Sequence, residues 1–353
     1  MCITKSHEPK SHLTLKIFRH PRDAKYPLLI DGNGEELFNY PNNYCYQDLL
    51  NTELEYEVLN SSMSTRGLLS EYDYLLSSGS SIRDFNFGHF LWEYLMTSMS
   101  LAEMFGFNRR TTVLLNVGSG SQRYEKYDKL IGMRSLDLTA GKQVCVASVA
   151  IGDHKCLNRM WSHTAEIPSP TAFKRRFNEE FGADPQGGIK FITLMRKRGR
   201  RIPLNFDEIV TFLQKRFAPI QVKVLDILST SISEQIDVLR RTFLLITPAG
   251  GISCAAPLLP HHSIVLQLGF FNTLLNTTVE YDSGFFAEFN HFSHHVMPLL
   301  LSEIDNSTCS MSADDGQQYD WGILVYCSYW VNLTRLERMV AHLTHEYALY
   351  NLR

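Results

Sequence analysis

Between residues 170 and 268 the apolar positions switch repeatedly between helical and strand spacing, with helix-start signals at the points of change. Ser169-Pro170 supplies an N-cap and a proline at the first helical position. Phe173, Phe177 and Phe181 follow at i, i+4 and i+8, and Gly182 stands where a helix-ending glycine belongs, which predicts one helix. KFITL at 190 to 194 is a short apolar, β-branched run suited to a buried strand. Asn205 is the predicted cap of a second helix, with Glu208 at the capping-box position and Phe206, Ile209, Val210, Leu213 and Phe217 on one stripe. VKVLDI at 222 to 227 reads as the next strand, followed by a second capping box, Ser231 with Glu234, ahead of Ile232, Ile236 and Leu239. FLLIT at 243 to 247 and SIVLQL at 263 to 268 complete the series. This alternation predicts an α/β fold with a parallel, doubly wound sheet, in which ligands bind at the carboxyl ends of the strands.

Elsewhere the pattern is thinner. TTVLLNVG (111 to 118) and VCVASVAIG (144 to 152) read as buried strands, and residues 89 to 106 as a helix apolar on most sides and ended by Gly106. They imply a second, smaller α/β layer. Leu333, Leu336, Val340, Leu343 and Tyr347 mark a C-terminal amphipathic helix, whereas 269 to 330 yields only turns and short elements.

The 353 residues exceed the size of about 250 at which single cores stop growing, so two domains are expected, divided as 1–183 and 184–330, with a packing helix over 331–353. The composition, 44% apolar, 12% aromatic and 20% charged, is that of a soluble globular protein, which a folded enzyme fits. A net charge of -3 argues against a surface built for nucleic acid or anionic membrane. Seven scattered cysteines without a CxxC pair predict neither a zinc knuckle nor a disulfide framework. The first thirty residues hold no apolar run long enough for a signal-peptide core or a spanning helix, so a soluble chain without a membrane segment is expected. Four sequons, at Asn60, Asn276, Asn306 and Asn332, do not establish secretion.

The candidate chemistry gathers where strands end. After KFITL come Arg196, Lys197, Arg198, Arg200 and Arg201, five cations in six residues. At the carboxyl end of a parallel strand such a cluster faces the ligand crevice, and guanidinium groups hold phosphate oxygens in a fixed fork. The other reading is a solvated turn or basic string. FLLIT ends in Thr247-Pro248-Ala249-Gly250-Gly251, where the glycines let a backbone approach a ligand ahead of a helix start that attracts phosphate; the same glycines also suit a plain tight turn. His89 and Glu93 stand at i, i+4 and form a candidate catalytic pair, with Asp84 and Arg83 in the preceding loop; against this, a histidine at a helix start often serves as a cap.

Several motifs fail. His291, His294 and His295 give HxxHH rather than HExxH, so no metal site is expected. GSGSQR after Val117 lacks the third glycine of a nicotinamide fingerprint, and neither a GxSxG elbow nor a Walker A motif occurs. Asp314-Asp315 reads as a solvated turn.

In the order of its motifs the chain resembles glycosyltransferase family 61, which includes plant xylosyltransferases and animal O-linked N-acetylglucosaminyltransferases. NFGHFLWEYL (86 to 95), ITLMRKRGRRIPLN (192 to 205) and the stretch from Ser231 to Leu268 carry the likeness, with VCVASVAIG a weaker fourth block. The resemblance implies a GT-B type pair of Rossmann-like domains: an acceptor-side domain over 1–183 and a donor domain over 184–330. It further implies an inverting transfer from a nucleotide-sugar, a UDP-sugar foremost, to a hydroxyl of a glycan or protein acceptor. The donor is a cosubstrate, and neither a cofactor nor a catalytic metal is needed. Arg196 and Arg200, with Arg201, Thr247, Gly250 and Gly251, are the implied diphosphate ligands; His89, Glu93 and Asp84 are the acceptor-side candidates.

Two departures touch the donor side: the family's Gly-Pro-His-Gly-Ala segment has Ala249 in place of His, and Gln267 replaces an expected glutamate. They leave open a catalytically inactive relative that binds without turning over. The family suggests the Golgi or ER lumen, whereas the lack of an anchor leaves a cytoplasmic location or a truncated product open.

Overall fold

A computed structural model of the chain describes residues 2–5, 13–19, 54–60, 74–78, 87–89, 91, 95, 98–99, 102, 111–116, 132–137, 143–145, 148–152, 170–182, 190–199, 201–272, 277–279, 286, 289–311 and 325–351. Contacts divide the chain into two units, Met1–Phe85 with His89–Pro168, and Asn86–Gly88 with Ser169–Arg353.

The first unit holds two four-stranded sheets. One has the order β3-β2-β1-β7, with β1 (Cys2–Lys5), β2 (Leu13–Arg19), β3 (Leu54–Asn60) and β7 (Gln143–Cys145). It is mixed, β1 running antiparallel to both neighbours and β2 parallel to β3. The other has the order β6-β5-β4-β8, with β4 (Tyr74–Ser78), β5 (Thr112–Asn116), β6 (Arg134–Asp137) and β8 (Ser148–Gly152), and is parallel throughout. TTVLLNVG thus supplies β5. VCVASVAIG is not one strand but two, split across the two sheets. Of the helix expected over 89 to 106, the helical turn Phe87–His89 is described, along with the singly described Leu91, Leu95, Ser98, Met99 and Ala102, all five buried.

The second unit is built on a five-stranded, all-parallel sheet of order β10-β9-β11-β12-β15. Its strands are β9 (Phe191–Met195), β10 (Gln221–Leu225), β11 (Thr242–Pro248), β12 (Ser263–Leu268) and β15 (Phe292–Met297). The three middle strands are buried along their whole length, which is why they read as predominantly apolar runs. β10 is an edge strand with mostly accessible side chains. The other edge, β15, has the sequence FSHHVM, and its solvent-facing middle gave no apolar signal. His294 and His295 therefore belong to a strand, and no metal-binding group of His, Cys, Asp or Glu occurs among the described residues.

Among the described residues, four helices of two or more turns accompany the sheet: α1 (Pro170–Phe181), α2 (Phe206–Arg216), α3 (Ile232–Arg240) and α4 (Leu333–Asn351). Gly182 ends α1 at φ +84, and the Ser231 hydroxyl accepts from Glu234 N–H at the start of α3, both as the pattern predicts. Asn205 behaves differently. It precedes α2 without capping it; its side chain donates to the Val331 carbonyl at 3.0 Å and accepts from Val331 N–H at 2.9 Å. That exchange ties the start of α2 to the chain entering α4. Leu336, Val340 and Leu343 of α4 are fully buried in one cluster with Ile209 and Leu213 of α2 and Leu244, Ile246 and Leu266 of the sheet. The terminal amphipathic helix thus packs on this sheet.

The described residues also form two antiparallel pairs, β13 (Phe270–Asn272) with β14 (Thr277–Val279) and β16 (Ile304–Met311) with β17 (Val325–Tyr329). Cys327 is disulfide-bonded, which the cysteine spacing did not announce, while Cys254 is a buried free thiol. No helix among the described residues is long and apolar enough to cross a membrane.

Candidate functional site

After β9 the chain crosses to β10 on one side, and after β11 it crosses to β12 on the other. The sheet therefore reverses its winding between β9 and β11. In open parallel sheets the crevice for ligands lies at that reversal, outside the carboxyl ends of the strands. Here the two segments leaving those ends are Arg196–Arg201 and Ala249–Gly251, the basic cluster and the glycine turn singled out in the sequence.

The cations of the first segment separate into two sets. Arg196 donates to Asp207 at 2.7 Å, and its guanidinium carbon lies 4.3 Å from the centre of the Phe206 ring, so its head turns toward the start of α2. Arg198 donates twice to one oxygen of Asp226, at 3.1 Å and 2.5 Å. Asp226 is buried just beyond β10 and also accepts from Leu228 N–H at 3.0 Å. Burial alone would raise its pKa; hydrogen bonds from Arg198, Leu228 and Ser229 together outweigh that and hold it below its usual 3.8.

Lys197 and Arg201 go to the glycine turn instead. The Lys197 ammonium donates to the Ala249 carbonyl. A β-carbon added to Gly250 would meet Arg201 Nη2 at 2.6 Å, Lys197 Nζ at 3.0 Å and Arg201 Cζ at 3.2 Å. The two nitrogens thus lie no more than 5.6 Å apart, the sum of their distances to that point. At this spacing two unit charges repel by about 3 kcal/mol for an effective dielectric of about 20, and an anion seated between them converts the repulsion to attraction. Gly250 also has φ +104 and ψ -167, a conformation essentially reserved for glycine. Both its backbone and its missing side chain are required.

Gly251 opens a 3-10 helix, Gly251–Leu258, rather than an α-helix, with Pro257 inside it. Its start is fixed by Ser253, whose N–H and hydroxyl both donate to the Gly250 carbonyl, at 2.8 Å and 2.7 Å. Its far end is fixed by the buried Lys174 of α1, which donates to the Leu259 carbonyl at 2.7 Å. Thr247 is fully buried, with its hydroxyl donating to the Pro248 carbonyl at 3.1 Å. Ala249, in the position of the family's histidine, and Gln267 are both buried as well.

The basic loop itself is bent by Gly199 at φ +88 and by Arg201 at φ +55, an uncommon conformation for a residue with a side chain. Residues 202 to 204 then run beside the end of β17: Tyr329 N–H donates to the Ile202 carbonyl at 3.1 Å, and Leu204 N–H to the Tyr329 carbonyl at 2.7 Å.

Arg201 and Gly250 are therefore brought together, with Lys197 added, and Gly251 follows directly. Arg196 stands at the same strand end with its head on Asp207. Asp84, Glu93 and Arg200 lie outside the described residues, and of His89 only the backbone of a helical turn is described. Sequence reasoning missed Asp226 and Tyr329. An acidic residue next to last in VKVLDI was a usable signal for the first; nothing in the unassigned segment marked the second.

The sequence matches the family described as Glycosyltransferase 61 over residues 87–266, about half of the chain. No curated protein matches it.

Proposed function

The chain belongs to glycosyltransferase family 61, and on that footing we propose an inverting enzyme that moves a hexosyl or pentosyl group from a nucleotide-sugar, a UDP-sugar foremost, to a hydroxyl of a glycan or protein. Membership itself implies glycosyltransferase activity, with a sugar donor and an acceptor. The donor, the acceptor and the stereochemistry are proposals.

One observation carries the donor assignment: Lys197 and Arg201 converge on Gly250 at the winding reversal of the parallel sheet. In this reading the diphosphate sits over Gly250 and Gly251, held by Arg201 and Lys197, with Arg196 and Arg200 from the same loop and Thr247 supporting the turn from below. As the bond from the anomeric carbon to the diphosphate breaks, negative charge builds on the leaving oxygen. Fixed cations beside it lower the barrier without a metal. A base on the acceptor side takes the hydroxyl proton, with His89, Glu93 and Asp84 as candidates. The parallel order β6-β5-β4-β8 in the first unit supports a second Rossmann-like domain of GT-B type. Incubation with a panel of nucleotide-sugars, reading released nucleoside diphosphate with and without chelator, tests the assignment; release from no donor counts against it.

A second reading, a binding protein that has lost turnover, draws on Ala249 and Gln267. It predicts nucleotide binding without hydrolysis or transfer.

A further inference from the structure

Tyr329, the last residue of β17, is 1% exposed and lies in the core cluster of the sheet. Its backbone brackets the stretch directly after Arg201 through the Ile202 and Leu204 hydrogen bonds, and Pro203 forms a parallel bridge to it. Its hydroxyl makes no hydrogen bond to any described residue. Burial pushes the phenol well above its ordinary pKa, and the Arg201 charge acts in the opposite sense.

A buried hydroxyl without a partner is costly, and phenylalanine would fill the same space without that cost. The oxygen therefore calls for a use in another state of the protein. Arg201 is the neighbour that offers one. It is held at φ +55, a conformation the surroundings must enforce, and Tyr329 supplies part of that enforcement through Ile202.

We propose that Tyr329 is a positioning residue for Arg201: when a diphosphate occupies the seat over Gly250, the phenol oxygen accepts a hydrogen bond from the guanidinium and holds it on the ligand. This rests on the donor-site reading above. The hydroxyl does no work in the unliganded protein and works only in the complex, so stability and affinity respond in opposite directions when it is removed.

The test compares the full chain with Tyr329→Phe, Arg201→Ala and the double variant, by thermal melting without ligand and by calorimetric titration with UDP and with inorganic pyrophosphate. Tyr329→Phe is expected to melt at or above the wild-type temperature yet to bind both probes about tenfold more weakly, the loss typical of a hydrogen bond to a charged group. The double variant is expected to bind no more weakly than Arg201→Ala, because the phenol acts only through that arginine. Wild-type affinity in Tyr329→Phe, with Arg201→Ala impaired, overturns the role of Tyr329 alone. Wild-type affinity in Arg201→Ala overturns the donor-site reading beneath it.

Discussion

Nη2 of Arg201 lies 2.6 Å from the point where a β-carbon on Gly250 would stand. The glycine thus leaves room for a cationic head as well as making a turn at positive φ. The two demands separate experimentally. Gly250→Ala is expected to lose about 1–3 kcal/mol of stability from its φ of +104 and, because the atoms it meets are the mobile ends of side chains, to push Arg201 and Lys197 off the seat and weaken UDP binding at least tenfold. Gly182→Ala is the control: its φ of +84 carries a backbone penalty too, but its methyl meets only an ordinary 3.8 Å contact at the end of α1. It is expected to lower the melting temperature and leave UDP affinity unchanged. Equal affinity losses in both variants contradict the seat.

Arg196 is held by a weaker grip than Arg198. Its partner Asp207 has 85% of its side chain exposed, whereas Asp226 is 9% exposed. Exposed ion pairs contribute about 0–1 kcal/mol, so Arg196 can exchange Asp207 for a phosphate at little cost. Asp207→Asn is expected to tighten UDP binding about two- to threefold at low salt. Arg198→Ala is expected to reduce stability, by stranding the Asp226 carboxylate, more than it reduces affinity. Titration calorimetry and melting curves on the two variants check both expectations.

Asp226 has a folded pKa below its ordinary 3.8. A carboxyl of this kind contributes stability that is fully present above the unfolded value and is lost as pH falls through the folded one. The wild type is therefore expected to lose this contribution below about pH 4, while Asp226→Asn, lacking the titrating group, does not. Melting temperatures from about pH 6 down to about pH 3 should show the gap between the two proteins narrowing in acid. A gap independent of pH contradicts the ion pair.

Asn205 exchanges two hydrogen bonds with the Val331 backbone in a buried setting. Asn205→Ala leaves a buried N–H and a buried carbonyl without these partners, at an expected loss of about 2–4 kcal/mol. The variant should melt lower and bind UDP normally when folded. Weakened binding without a stability change contradicts this structural role.

The sequence made the middle of the five-stranded parallel sheet legible and its borders much less so, for a physical reason. The strands within KFITL, FLLIT and SIVLQL are buried on both faces and therefore written mostly in apolar letters, with Thr193, Thr247, Ser263 and Gln267 the buried polar exceptions. β15 is an edge strand whose middle residues, Ser293, His294 and His295, are only partly covered, so it resembled a failed metal motif. Asn205 looked like a helix cap because the residue type that caps helices is also the type that pairs with a distant backbone.

At the site, the basic loop and the glycine turn were legible because backbone geometry dictates where such residues stand. Which cation goes where was not. That choice depends on Asp207 and Asp226, brought near by α2 and β10, and on the space above Gly250, none of which sequence spacing encodes.

The most direct test of the donor site is a calorimetric titration of UDP into the full chain and into Arg201→Ala, repeated with chelator. Saturable binding by the wild type, unaffected by chelator and weakened at least tenfold in the variant, is the predicted result. Binding that survives the substitution, or that vanishes with chelator, contradicts a metal-independent diphosphate site over Gly250.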